Sequence, residues 1–351
     1  MGSEMMRVFR LPHKTLVITP QFIVLFFLGL IIAVTAGVAP QFFRTANLFN
    51  VLRQSAALGI LSIGQTVVVV GGGVDLSVGS TMQLAGVTIA EVTKGENNRL
   101  PTGVAFGCAI GIGIGVLNGF LIAYRNIEPF VATLFVGLLG TGLRLWVTKA
   151  TPSGVLPPAL RILGRGALAG VPNIVILFIG LALGVSFILN RSVYGRKLYA
   201  VGANLRAAFV SGVRVKRILL FSYILCGFLS AVAGIALVSY LGYADQEIGV
   251  GYDLDSIAAV VIGGASLGGG KGTVLGTVFG VLLMAVLNNL VLLLNLKIEH
   301  QLILRGGVIV LGVALYTANW AKIKQLWYKN KGGEKQGLKL CILNRKKQKL
   351  Y

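Results

Sequence analysis

The chain has 351 residues, 55% of them hydrophobic and 12% charged, with a mean hydropathy of +0.83. Soluble domains carry about 25% charged residues, so this composition excludes an ordinary soluble protein, a disordered chain, a collagen and a small disulfide scaffold. The formal charge of +21, from 32 Lys+Arg against 11 Asp+Glu, lies between apolar runs and in the C-terminal tail. A nucleic-acid binder would gather it on one face among aromatics, so no nucleic-acid partner is expected.

Each crossing of hydrocarbon needs roughly 20 apolar residues. The first run, 16–38, follows a basic stretch holding Arg7, Arg10 and Lys14. Gly37-Val38-Ala39 resembles a signal-peptidase site, but the run exceeds the about 7–15 residues of a cleaved signal's apolar core. It reads as a retained anchor. The later runs are 55–72, 78–92, 102–124, 130–147, 173–189, 218–240, 254–263, 273–294 and 301–318. The run 254–263 is too short to cross unaided and reads as a tilted, extended or broken helix, tolerated where backbone is buried in protein or lines a cavity. The fold class is all-α: a polytopic membrane protein of about ten transmembrane helices, short or broken ones included.

An N-terminus inside gives ten crossings and an inside C-terminus. The inner segments then hold 22 Lys/Arg and the outer ones 8, with Arg144 and Arg305 inside spans. That asymmetry follows the positive-inside rule. The organisation is a cytoplasmic N-terminus (1–15), a membrane domain (16–318) with a long basic cytoplasmic loop (191–217), and a basic cytoplasmic tail (319–351). The tail reads either as an anchor to anionic lipid or as a solvated end.

No acidic residue sits mid-span, and both histidines, His13 and His300, fall in loops, so no proton relay is visible. Gly268-Gly269-Gly270-Lys271-Gly272-Thr273 is not a P-loop. Ala265 stands where the first Gly is required, and Gly272 where a hydroxyl must follow the Lys. With no HExxH or GxSxG either, the chain is expected not to be an enzyme and to bind no metal. Cys108, Cys226 and Cys341 lack metal or disulfide spacing.

Glycine, at 48 residues, is abundant. Gly107, Gly111 and Gly115, with Gly119 beyond, form a face on which helices approach closely. The runs Gly71-Gly72-Gly73 and Gly268-Gly269-Gly270 are helix breakers instead. "VVVVGGGVDLSVGS" and "AVVIGGASLGGGKG" are alike enough to suggest two related halves.

Three segments carry the functional argument. In "GGGVDLSVGS", Asp75 and Ser77 suit a helix cap, and the alternative is a gate on a translocation path. In "GRKLYAVGANLRAAFVSGVRVKR", the apolar Ala207-Ala208-Phe209-Val210 lies among seven basic residues of the loop 191–217. Topology accounts for the charges but not for the apolar patch. A short helix capped by Asn204 and ended near Gly212 would present it to a cytoplasmic partner. The third segment is "GVGYDLDSIAAVVIGGASLGGGKGTVLGTVFG".

Together these segments resemble the permeases of ribose/xylose/arabinose-type and autoinducer-2-type binding-protein-dependent ABC importers, over about residues 42–318. The resemblance implies a bacterial inner-membrane protein with both termini cytoplasmic. It implies translocation of a monosaccharide or similar small polar ligand, driven by a separate cytoplasmic ATPase. ATP and magnesium belong to that partner, and this chain binds no cofactor. The other implied partners are a periplasmic or lipoprotein binding protein, a second permease subunit (identical or not) and membrane lipid.

Residue by residue, the resemblance assigns coupling to the ATPase to Gly202, Asn204, Ala207, Ala208, Ser211 and Gly212. It places the gate or path on Asp75, Ser77, Ser80, Phe130 and Thr133; beside these, Asn118, Asn288 and Gln65 are read as path residues whose side chains suit any polyol. Phe209 departs from the family's usual Arg. The acidic outer loop 241–255, with Asp245, Glu247, Asp253 and Asp255 and no basic residue, is the expected dock for the binding protein. The alternative source of its acidity is the inside–outside charge bias alone. Two other readings stand beside the importer: a secondary sugar carrier independent of ATP, and a non-transporting scaffold or channel subunit.

Overall fold

In hydrocarbon every backbone N–H and C=O must be satisfied within the protein, and this chain does so with helices. The computed structural model describes residues 20–149, 151, 154–245, 248–297, 299, 300, 303, 306, 307 and 310. Residues up to Leu296 form one compact unit and Lys297–Tyr351 a second. Segment 1–15, the start of the first predicted span, most of the last span (301–318), the tail 319–351 and Glu247 lie outside the described residues.

The helices are α1 (Pro20–Val38), α2 (Thr45–Val70), α3 (Val78–Thr93), α4 (Leu100–Ala123), α5 (Pro129–Thr148), α6 (Pro158–Arg165), α7 (Asn173–Arg191), α8 (Val193–Ala203), α9 (Leu205–Val210), α10 (Val215–Leu241), α11 (Tyr252–Ile262) and α12 (Val274–Leu293). Among the described residues six segments are long and apolar enough to cross a membrane: α2, Asn97–Ala123, α5, α7, α10 and α12. A shorter apolar helix, Val24–Val38, lies within α1. The short helices α3 (16 residues) and α11 (11 residues) each adjoin a glycine break. The expected break at 254–263 is thus an 11-residue helix entered through Gly249 and Gly251, both at positive φ.

One expectation is corrected, and one connection carries elements of its own. The second span begins at Thr45, not at residue 55. Its first turns, "TANLFNVLRQ", are too polar for hydropathy to include but contain no helix breaker. Arg53 therefore stands on a helix, over the Phe49 ring at 5.9 Å, and not in a loop. The connection 149–172 is also structured: it holds α6 and a two-stranded hairpin, Ala167–Leu168 with Val171–Pro172.

Helix α2 is the axis of the bundle, with 89% of its apolar window buried, against 22% for α7 at the periphery. The glycine face of α4 packs on α10 as expected. A methyl group at Gly111 would collide with the Gly227 carbonyl, and one at Gly115 with that of Tyr223. Such backbone-to-backbone approach replaces the hydrophobic drive that lipid removes.

Chain direction gathers the connections at two ends. At one end, Gly202 of α8 lies against Val70 and Gly270, and Gly269 against Gly72. At the other, Ala159 N–H donates to Asn97 Oδ1 at 3.0 Å, and Val155 bridges Tyr243. There the Arg165 guanidinium donates to the carbonyls of Tyr240 (2.9 Å) and Leu241 (2.5 Å), capping α10. These are called the α9 end and the α6 end below.

The two similar sequence stretches close their helices alike. After α2, the N–H groups of Gly71, Gly72 and Gly73 donate to the carbonyls of Val67, Val69 and Val68. After α11, those of Gly263, Gly264 and Ala265 donate to Ala259, Val261 and Val260. Gly72 (φ 87°) and Gly264 (φ 92°) occupy the same left-handed position.

Candidate functional site

The stretch joining α2 to α3 must leave the helical path within the bundle, so its polar backbone needs side-chain partners. Asp75 supplies the first. Its Oδ1 accepts from the Ser77 N–H at 2.8 Å and the Ser77 hydroxyl at 2.6 Å. Asn118 of α4 donates to Ser77 Oγ at 2.7 Å and reaches Asp75 Oδ1 at 3.5 Å. On the other flank, Leu76 N–H donates to Thr133 Oγ1 of α5 at 3.1 Å, and that hydroxyl donates to the Pro129 carbonyl at 2.8 Å. Gln65 of α2, with its amide turned to satisfy both groups, pairs with the backbone N–H and C=O of Asp75 at 3.2 Å each. Asp75, Ser77, Asn118 and Thr133 are all buried. With Gln65, five expected path residues, all buried, are thereby brought together as a brace linking α2, the start of α3, α4 and α5.

Two cavities lie on either side of this brace. The larger, about 870 Å³, is at the α9 end and is lined by Gly71–Gly73, Tyr124, Asn126–Pro129, Tyr223 and residues of α9 and its flanks. The smaller, about 280 Å³, is lined by Leu76, Gly79, Ser80 and Gln83, by Leu134–Arg144 positions of α5, and by Gly249–Gly251 and Asp253. Gly73 therefore borders one cavity and Leu76 the other, three residues apart along the break.

Ser80, whose hydroxyl donates to Ser77 O at 2.9 Å, lines the smaller cavity. Phe130 is exposed on α5 and lines neither cavity. Asn288 is on α12, also outside both. Its neighbour Asn289 makes the long-range pair, exchanging two hydrogen bonds with Asn47 at 2.9 and 3.0 Å. Nothing in the spacing distinguishes one asparagine from the other, because only the helix's rotation decides which of them reaches Asn47.

The motif in the basic loop 191–217 forms the expected short helix. Asn204 Oδ1 accepts from Ala207 N–H at 2.9 Å, and Gly212 ends the turn at φ 79°. Its apolar patch is not uniform. Ala208 is buried against Val201 and Val215, whereas Phe209 and Val210 are 70% and 85% exposed. Ala207, Ser211 and Gly212 are exposed too. Gly202 has no room for a side chain, because a Cβ there would meet the Val70 carbonyl and Gly270 N. Around it, Gly270 N–H donates to Val70 O at 2.9 Å and the Tyr199 hydroxyl to Gly272 O at 2.7 Å. Burial pushes the Tyr199 phenol above its ordinary pKa, keeping it a donor.

The acidic positions expected on the outer side are split. Asp253 and Asp255, expected in a loop, stand on the first turn of α11, where carboxylates complement the helix dipole. Asp255 is buried, Asp253 faces the smaller cavity, and Asp245 is partly exposed in the connection after α10. Sequence reasoning passed over Arg144 of α5, which is 6% exposed and lines the same cavity as Asp253. A cation inside an apolar span was the available signal.

A family described as the permease component of branched-chain amino acid transport systems matches residues 47–313. The ribose import permease protein of Escherichia coli (strain K12) is 38% identical over 287 residues, 81% of this chain and 89% of that protein. That of Bacillus subtilis (strain 168) is 38% identical over 294 residues, 82% of this chain and 91% of that protein. The D-allose transport system permease protein of E. coli is 30% identical over 291 residues, 83% of this chain and 89% of that protein. No solved structure matches the chain.

Proposed function

The chain belongs to the family of branched-chain amino acid transport system permease components, and from that premise we propose that it is the membrane-spanning permease of a monosaccharide ABC importer. The ribose and allose permeases among its relatives supply the substrate class. The energy comes from a separate cytoplasmic ATPase, which uses ATP and magnesium, while this chain binds no cofactor itself. A binding protein delivers the sugar, and a second permease subunit completes the path. About ten spans, built as two related halves, place both termini in the cytoplasm of a bacterial inner membrane. The α9 end is then cytoplasmic and the α6 end receives the binding protein. With Asp255 buried, its carboxylate is not part of that dock.

One observation carries the mechanism. Gly202, two residues before the cap of α9, is wedged backbone-to-backbone against the last carbonyl of α2. Where α2 ends, the segment that separates the two cavities begins. A push on Phe209 and Val210 from the ATPase is therefore delivered to the break without slack, since packed backbones cannot compress. Displacing the break shifts Leu76 and its bond to Thr133, opening one cavity as the other closes.

The test is ATP-driven uptake of labelled D-ribose, D-allose and D-xylose into proteoliposomes holding the permease with its cognate ATPase and binding protein. Val210→Asp changes a side chain that is 85% exposed among the described residues. Uptake is expected to fall at least tenfold with the complex still folded. Unimpaired uptake in Val210→Asp, or sugar uptake that persists without the ATPase, would overturn the reading.

A further inference from the structure

Arg144 is a cation placed where a membrane protein can least accommodate one without a purpose. It sits four residues before the end of α5, nearly fully buried, and it faces the smaller cavity. Two of its three guanidinium nitrogens, Nε and Nη1, have no hydrogen-bond partner among the described residues. Buried donors left unpaired are costly, so a guanidinium so placed calls for acceptors that arrive from elsewhere. The charge of Asp245 acts on it from the neighbouring connection.

The rest of the lining is suited to supply such a guest. Asp253 brings an acceptor-only carboxylate, Gln83 an amide, and Ser80 and Thr141 hydroxyls, while Leu76, Leu134 and Leu138 make an apolar wall. Gly79, Gly137, Gly249 and Gly251 leave backbone close to the space. The volume of about 280 Å³ is at the small end of ligand cavities. One cation and one anion line it, so it has no net charge to attract a sugar acid or a sugar phosphate. Donors and acceptors beside an apolar wall match a neutral polyhydroxylated ring.

We propose that this cavity is a sugar subsite on the transport path, in which Arg144 donates to adjacent hydroxyls of a neutral monosaccharide and Asp253 accepts from them. The inference rests on the importer reading for its substrate class. It reassigns Asp253 from an outer dock to the ligand, and it adds Arg144, Gln83 and Thr141 to the path.

Two measurements on the reconstituted complex test it. The first is a protection assay that does not depend on transport. Leu138→Cys, in a chain with Cys108, Cys226 and Cys341 replaced by Ser, places a thiol on the cavity wall. D-ribose, D-allose or D-xylose at high millimolar concentration is expected to slow its alkylation at least threefold, and ribose 5-phosphate to leave it unchanged. The second is uptake kinetics. Asp253→Asn and Arg144→Met are expected to raise the half-saturating sugar concentration at least tenfold with basal ATP hydrolysis retained, and Arg144→Lys to recover part of the loss.

Equal protection by the phosphate and the neutral sugars, or no protection by any of them, overturns the subsite. So does unchanged half-saturation in Asp253→Asn, a partly exposed position where misfolding is not at issue. Failure of the unmodified complex to take up sugar strikes the importer reading instead, and the protection assay still decides the cavity.

Discussion

Asp75 shows how a single side chain can be both a cap and part of a brace between helices. Its carboxylate satisfies the Ser77 N–H, as a cap residue should, but the same oxygen also holds the Ser77 hydroxyl and lies near Asn118 on another helix. Removing the acceptor strands buried donors, each at a cost of about 1–3 kcal/mol. Asp75→Ala is therefore expected to destabilise the purified permease by at least about 2 kcal/mol, read as a lowered thermal midpoint in detergent. Asp75→Asn, which keeps an acceptor for Ser77, should lose less. Equal midpoints for all three proteins would show that the brace contributes nothing. The cap was legible in "VDLSVGS" because capping is local. The bonds to Asn118 and Thr133 were not, since those residues are 43 and 57 or more positions away along the chain.

At the scale of helices, close approach is the organising force. The Gly107-Gly111-Gly115 face was plain in the sequence, but its partner was not. The structure supplies it in α10, where Gly227 and Tyr223 offer backbone and not side chain. Backbone cannot move aside as a flexible side chain can, so Gly115→Leu should cost well beyond the about 1–3 kcal/mol of ordinary overpacking. Gly113, on the same helix with nothing within 4 Å, is the control. Gly113→Ala should be neutral or slightly stabilising, because alanine removes glycine's backbone entropy penalty. Comparing the two variants' expression and thermal midpoints checks the pairing, and a tolerated Gly115→Leu contradicts it. The short helix α9 follows the same division. Its Asn204 cap and Gly212 stop were readable, whereas the inward turn of Ala208 against outward Phe209 and Val210 depended on what α8 and α10 place beside it.

Within the unit that ends at Leu296, two cavities flank one braced break, and α9, the proposed contact for the ATPase, borders the larger of them. The orientation proposed for it is testable without transport. In a chain lacking its own cysteines, Arg206→Cys on α9 should react with a membrane-impermeant reagent only from the cytoplasmic side, and Leu168→Cys in the hairpin only from outside. Reaction of both from one side would sink the orientation. The sequence alone determined that the chain is helical and membrane-embedded, where most of its helices begin and end, and which loop carries the basic charge. Those properties follow from composition over a few turns, and hydrocarbon enforces them on any chain of this kind. Only the tertiary structure decided that Gly202 wedges against Val70, that Asn289 pairs with Asn47, and that Arg144 and Asp253 border one cavity. Each of these depends on the rotation of one helix relative to another, which packing between distant segments sets and no local pattern encodes.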